Sequence, residues 1–236
     1  MKSTIQTLAF GILFLMIPFV AFSQMCNYYL PLVENTGLVY EHYDQRDRLE
    51  GSQTITIKQV ETEGDRIIAT LATEQFDRRN RPQFEAEYNI VCEGNILYID
   101  MESLLNEAML EGFKDMDMQI EGDGIIFPTD MRVGETLPDA SMNISIRSGG
   151  MQMAEMQIRI TDREVLSKET VTVPAGTFEA FKISYVTHFE TRAMGIPIRS
   201  RSKSIEYHAE NVGLVRSETY NERDRLQGSQ VLSRVF

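Results

Sequence analysis

The stretch "YDQRDRLEGSQ" at residues 43–53 returns almost letter for letter as "YNERDRLQGSQ" at residues 220–230. Eight of the eleven positions are identical, and the other three exchange an acid for its amide or the reverse. Alternating runs flank each copy: "LVYEHY" leads into the first and "TITI" away from it, while "LVRSETY" and "VLSRVF" frame the second. A strand, a short polar loop and a strand make a hairpin. A third, degraded copy stands at residues 76–81 as "FDRRNR", so that Asp47, Asn80 and Asp224 occupy equivalent places. A type I turn closing on a bulge needs one residue with positive φ, for which Asn and Asp are the tolerated substitutes for Gly. The shared letters therefore read as one turn used three times, with Gly51 and Gly228 marking a bulge or bend in the returning strands. The repeat is structural on this reading. Its arginines, among them Arg46, Arg48, Arg79, Arg81, Arg223 and Arg225, are solvated turn charges or, on a sharper view, a basic rim.

Working outward, runs such as "TITIKQV", "RIIATLATEQF", "FEAEYNIV" and "FKISYVTHF" are rich in β-branched and aromatic residues with a period of two. That pattern makes half-buried antiparallel strands. About ten to twelve such runs predict a mainly β fold: a single large antiparallel sheet curled into a half-barrel or barrel, with a two-sheet sandwich as competitor. One segment departs from the rhythm. In "DMESLLNEAMLEGFKDM" at residues 100–116 the apolar or small residues follow a helical stripe. Asp100 is placed to cap it and Glu102 to complement its dipole. The expectation is one amphipathic helix packed on the concave face, as core plug or lid, with Leu105, Met109, Phe113 and Met116 as candidate ligand-facing residues.

The N-terminus reads as a secretory signal: Lys2, an apolar run at residues 8–20, then Ala21-Phe22-Ser23. Cleavage is expected near Ser23, leaving residues 24–236 as a single β-rich extracytoplasmic domain, periplasmic or secreted. The run is short for a bilayer span, which takes about 20 residues. The two cysteines, Cys26 and Cys92, permit one intramolecular disulfide in an oxidising compartment. Closing so long a loop contributes about 3–4 kcal/mol in the chain-entropy model. A lipid-modified Cys26 and two free thiols are the alternatives. The formal charge of −12 argues against nucleic acid as a partner.

Chemistry-bearing motifs are scarce. Residues 117–128 begin like a calcium loop, but the twelfth position is Pro128 where a bidentate Glu is required. His42, His188 and His208 stand apart, whereas zinc ligands come in spaced pairs, so they read as surface or sheet-face imidazoles. No nucleophile elbow, phosphate loop or dinucleotide fingerprint occurs. The sequence therefore nominates no catalytic residue, no metal ligand and no cofactor. The 13 methionines suit either gap-filling in a core or a permissive apolar surface. Residues 198–204, "IRSRSKS", read as an outward-charged edge strand that resists sheet-to-sheet pairing.

Several stretches, in order, carry a family likeness: "CNYYLPLVENTGLVYEHYDQRDRLEGSQ", "CEGNILYIDMESLL", "FPTDMRVGETLPDASMNI", "VTVPAGTFEAFKISY" and "YHAENVGLVRSETYNERDRLQGSQ". Together they resemble the TapB family, exported DUF-type proteins of Bacteroidota. The resemblance implies an exported β-rich single domain and brings no catalytic residues with it. The functional expectation is a non-enzymatic binding or carrier domain for an apolar or amphipathic, lipid-like ligand of the cell envelope. The alternative is a structural or assembly protein that meets an envelope partner through its surface.

Overall fold

A strand whose residues alternate apolar and polar can bury only one face, and many such strands in succession satisfy that constraint by sharing one sheet. The computed structural model describes residues 30–100, 116–193 and 196–236. There the alternating runs form thirteen strands: β1 (Gly37–Asp44), β2 (Leu49–Glu63), β3 (Arg66–Asp77), β4 (Pro82–Glu93), β5 (Ile96–Ile99), β6 (Asp117–Gly122) and β7 (Ile125–Pro128) come first. They are followed by β8 (Ala140–Ser148), β9 (Met151–Val173), β10 (Gly176–Ala193), β11 (Ile196–Ala209), β12 (Gly213–Asn221) and β13 (Leu226–Val235). All lie in one sheet, in the order β6-β8-β9-β10-β11-β12-β13-β1-β2-β3-β4-β5-β7, with β6 and β7 at its edges. The N-terminal strand β1 sits mid-sheet, held on one side by β13 and on the other by β2.

The expected fold class is corrected in one respect. The described residues are all-β and contain no helix, so among them no helix packs on the concave face. Residues 101–115, which include Leu105, Met109 and Phe113, lie outside the described residues. At the near boundary Met116 leads straight into β6 and is 37% exposed. A helical stripe says which face of a segment is apolar; it does not say what that face packs on. The irregular connection at 129–139 contributes Met131 and Leu137 to the core. That connection runs along β9, with Leu137 N donating to Arg163 O at 2.8 Å and Gly134 N to Val165 O at 2.7 Å.

Leu38, Ile57, Leu71, Val165, Ile183, Val215 and Leu232 are each at most 1% exposed and come from seven different strands. They can share one core only because the sheet curls strongly on itself. A satellite cluster under β8 joins Met142, Ile144 and Ile146 to Met118, Ile120 and Met156. Ile125 on edge strand β7 packs against both clusters.

The three repeated turns join β1 to β2, β3 to β4 and β12 to β13, and the strand order sets these hairpins side by side with their turns at one end. Asp47, Asn80 and Asp224 have φ of 59°, 57° and 53°. In the first turn Asp47 N donates to Asp44 O at 3.0 Å, while Asp44 Oδ1 accepts from Arg46 N at 2.8 Å and Arg48 N at 3.0 Å. Asp77 accepts from Arg79 N and Arg81 N, and Asn221 from Arg223 N and Arg225 N, in the same way. Two residues after each turn the register slips, leaving Glu50, Gln83 and Gln227 as bulges.

In two of the turns the leading residue is charged. Asp44 and Asp77 are each held near pKa 2, chiefly by side-chain hydrogen bonds from Arg48 and Arg81 and then by backbone N–H groups. A carboxyl whose folded value is depressed stabilises the fold above its ordinary value of 3.8, and that contribution fades as pH falls toward about 2. Asn221 shows that an amide can serve the same backbone. The double variant Asp44→Asn/Asp77→Asn is therefore expected to unfold at a lower urea midpoint than wild type at pH 7, with a shallower loss of stability between pH 4 and pH 2, so that the two proteins converge on acidification. A parallel acid dependence in the two proteins would contradict this account of the turns.

Candidate ligand cavity

The curled sheet holds a partly open cavity of about 440 Å³. Its walls are mostly aliphatic and aromatic, drawn from β1 to β5, β7 and β9 to β13, with Ile55, Leu71, Ile90, Ile125 and Ile160 among them. Apolar pockets of roughly 300–1,000 Å³ with a few placed polar groups are the usual form of small-molecule sites. Here those groups are Arg163, Tyr185, Glu206 and His208 on one set of strands, and Gln53 and Gln230 on another.

Arg163 enters the cavity through a phase change in β9. Ile158 and Ile160 face inward at even positions, whereas Val165, Val171 and Val173 are buried at odd ones. The switch occurs at Asp162, whose φ is 54°, where the register with β10 jumps from Thr161 opposite Val186 to Glu164 opposite Ser184. A bulge of this kind reverses which face each later residue presents. It turns Arg163 inward, leaving it 2% exposed. Its Nη1 donates to Pro138 O at 2.6 Å, and its guanidinium lies 5.0 Å from the ring centroid of Phe127. Burial pushes the Arg163 pKa down, opposed through space by Glu206, Tyr185 and Asp139; an arginine nonetheless keeps its charge.

Glu206 is fastened from two sides. Tyr185 donates its hydroxyl to Oε1 at 2.7 Å, and His208 Nε2 lies 2.8 Å from Oε2. Burial raises the Glu206 pKa, but the hydrogen bonds from His208 and Tyr185 and the charges of His208 and Arg163 outweigh it, so the net shift is downward. Burial and Glu206 together push the Tyr185 phenol well above its ordinary range. His208 is only 9% exposed and its ring sits 5.1 Å from Phe127, so of the two readings, surface or sheet-face imidazole, it fits the second, on the face that lines the cavity.

The last letters of the repeated phrase also reach the cavity. Gln53 on β2 and Gln230 on β13 flank β1 symmetrically, with Gln230 Nε2 donating to Gln53 Oε1 at 3.4 Å and Gln53 Nε2 to Thr73 Oγ1 at 2.8 Å. The positive-φ residues Asp47, Asn80 and Asp224 stay at the turns, away from this lining. Cys92 is 1% exposed on β4, and no free cysteine occurs among the described residues; Cys26 lies outside them. Met116 does not line the cavity. Nothing in a single sequence marked Glu206, but the phase break between Ile160 and Val165 was a readable sign that β9 changes faces around Arg163.

Two crystal structures share this architecture. A protein from Bacteroides fragilis, described as exported and of YmcC-like fold, is 20% identical with a TM-score of 0.67, the match covering 89% of this chain and 100% of the other. A protein described as a lipoprotein, from Parabacteroides distasonis, is 23% identical with a TM-score of 0.70 over 90% of this chain and 100% of its own. At these identities the likeness concerns the fold. Among curated proteins none matches. Residues 34–232 match the family model described as DUF3108-like; the narrower TapB resemblance has no counterpart in these matches.

Proposed function

The chain belongs to the DUF3108-like family, and we propose that it is a non-enzymatic, extracytoplasmic binding or carrier domain for an apolar or amphipathic ligand. The observation that carries the reading is the cavity of about 440 Å³ inside the curled sheet, walled by apolar side chains and furnished with a small buried polar group. A sheet that served only as a surface scaffold would gain stability by filling that space, since unfilled volume forfeits packing contacts. Export is supported by the secretory pattern at residues 1–23 and by the descriptions of the two structural neighbours as exported protein and lipoprotein. With export goes the proposed Cys26–Cys92 disulfide; peptide mapping without reductant that recovers both thiols alkylated would remove it.

A neutral fluorescent probe, N-phenyl-1-naphthylamine, tests the cavity directly. The wild-type protein is expected to bind it saturably at one site. Ile55→Trp, which places an indole in the cavity from its wall, is expected to weaken binding at least about tenfold, a loss worth about 1.4 kcal/mol, while keeping a cooperative urea transition. Equal binding by both folded proteins, or no saturable binding by either, would defeat the carrier reading.

A further inference from the structure

We propose that Arg163 anchors the anionic head, a carboxylate or a phosphate ester, of a single-chain amphiphile whose tail occupies the cavity. This rests on the carrier reading and adds the chemistry of the ligand. A charged side chain is buried at substantial cost unless it is paired, and Arg163 is 2% exposed. Yet among the described residues it forms no ion pair, and its side chain makes one hydrogen bond, to the carbonyl of Pro138. Glu206 and Asp139 act on it only through space. Glu206 is already committed, with one oxygen held by Tyr185 and the other by His208.

The consequence is a guanidinium that lines an apolar cavity with one nitrogen occupied and the rest of its donor fork available. A planar fork of N–H donors matches a carboxylate or phosphate through two parallel hydrogen bonds. A neutral hydroxyl head would accept a single neutral hydrogen bond, weaker than the charge-assisted pair an anion makes. A cationic head would be repelled by the Arg163 guanidinium, while the Glu206 carboxylate is already engaged by Tyr185 and His208. Phe127, stacked against both Arg163 and His208, fixes the guanidinium from the edge strand and keeps this corner apolar. The cavity, about 440 Å³, falls in the lower part of the range for small-molecule sites, which favours one acyl chain over two.

The test compares three ligands of equal chain length on the intact protein at pH 8: hexadecanoate, hexadecyl phosphate and hexadecanol, each below its aggregation limit, by displacement of N-phenyl-1-naphthylamine. At least one of the two anions is expected to bind about tenfold or more tighter than the alcohol, as a charge-assisted hydrogen bond warrants. Preference for hexadecanoate assigns a free carboxylate, preference for hexadecyl phosphate a phosphate ester, and parity between them the shared anion. In Arg163→Met the preference for the anions over hexadecanol should fall to within about twofold, and Arg163→Lys, a point charge without the fork, should retain part of it. The wild-type comparison stands even if a variant does not fold. Equal binding of all three ligands overturns the anion anchor and leaves the carrier reading intact; failure of all three to bind overturns both.

Discussion

Gly51→Ala is expected to destabilise the protein by about 3 kcal/mol, at the upper end for one added methyl in a packed region. A Cβ at this position would lie 2.2 Å from the carbonyl oxygen of Phe76, which belongs to the neighbouring strand's backbone and cannot step aside as a side-chain tip could. The reason is the stagger of the hairpins. Gly51 pairs with Asp77 and Gly228 with Asp44, so each glycine stands level with the point where the next hairpin begins its turn. At Gly228 the approach is looser, 2.9 Å to Tyr43 O, and a smaller loss follows. In the third copy the equivalent position is Phe84, because β4 pairs with β5 only over Ile90–Glu93 and no strand among the described residues pairs with its outer side there. Gly64→Ala is the control: no atom lies within 4 Å of its Cβ, and only its φ of +67° opposes the change, at about 1 kcal/mol. Urea unfolding followed by circular dichroism ranks the variants. If Gly51→Ala proved no worse than Gly64→Ala, the close backbone contact would be wrong.

The second large effect is expected at Glu206. Replacing it with Leu strands the Tyr185 hydroxyl and His208 Nε2, and removes the negative charge that opposes the buried Arg163. Breaking a buried charged cluster by deleting one member costs about 3–5 kcal/mol. Glu206→Gln keeps an acceptor and should lose less. The pH dependence separates the two contributions. Because the folded pKa of Glu206 is lowered, its carboxylate stabilises the fold in full above its ordinary value of 4.5, and the contribution declines as pH falls through the lowered value. Wild type should therefore lose its advantage over Glu206→Gln on acidification. An advantage that stays constant down to pH 3 would contradict the assignment of Glu206 as an ionised, hydrogen-bonded group.

Local rules made part of this protein readable. Asp47, Asn80 and Asp224 were singled out because a tight turn needs positive φ, a demand met within five residues. The period-two run containing Phe181, Ile183 and Tyr185 lies inside β10 for the same reason. What escaped were features set by long-range register. Arg163 looks like one more surface charge until the bulge at Asp162 inverts the faces of β9. His208 and Glu206 gain their meaning from β7 and β10, which lie far from them in sequence. The repeated phrase was read as turn geometry alone, yet its final glutamines, 177 residues apart, meet beside the cavity. The helical stripe at residues 100–116 gives an apolar face without saying what covers it, and residues 101–115 lie outside the described residues.

The most direct measurement of the central claim is native mass spectrometry of the protein purified gently from its own cells, followed by denaturation in the same instrument. The account predicts one small amphiphile bound per chain and released on unfolding, or, in protein stripped of it, a one-to-one complex when hexadecanoate or hexadecyl phosphate is returned. A bare chain mass in both experiments would mean that the cavity holds nothing, and the carrier reading would fall.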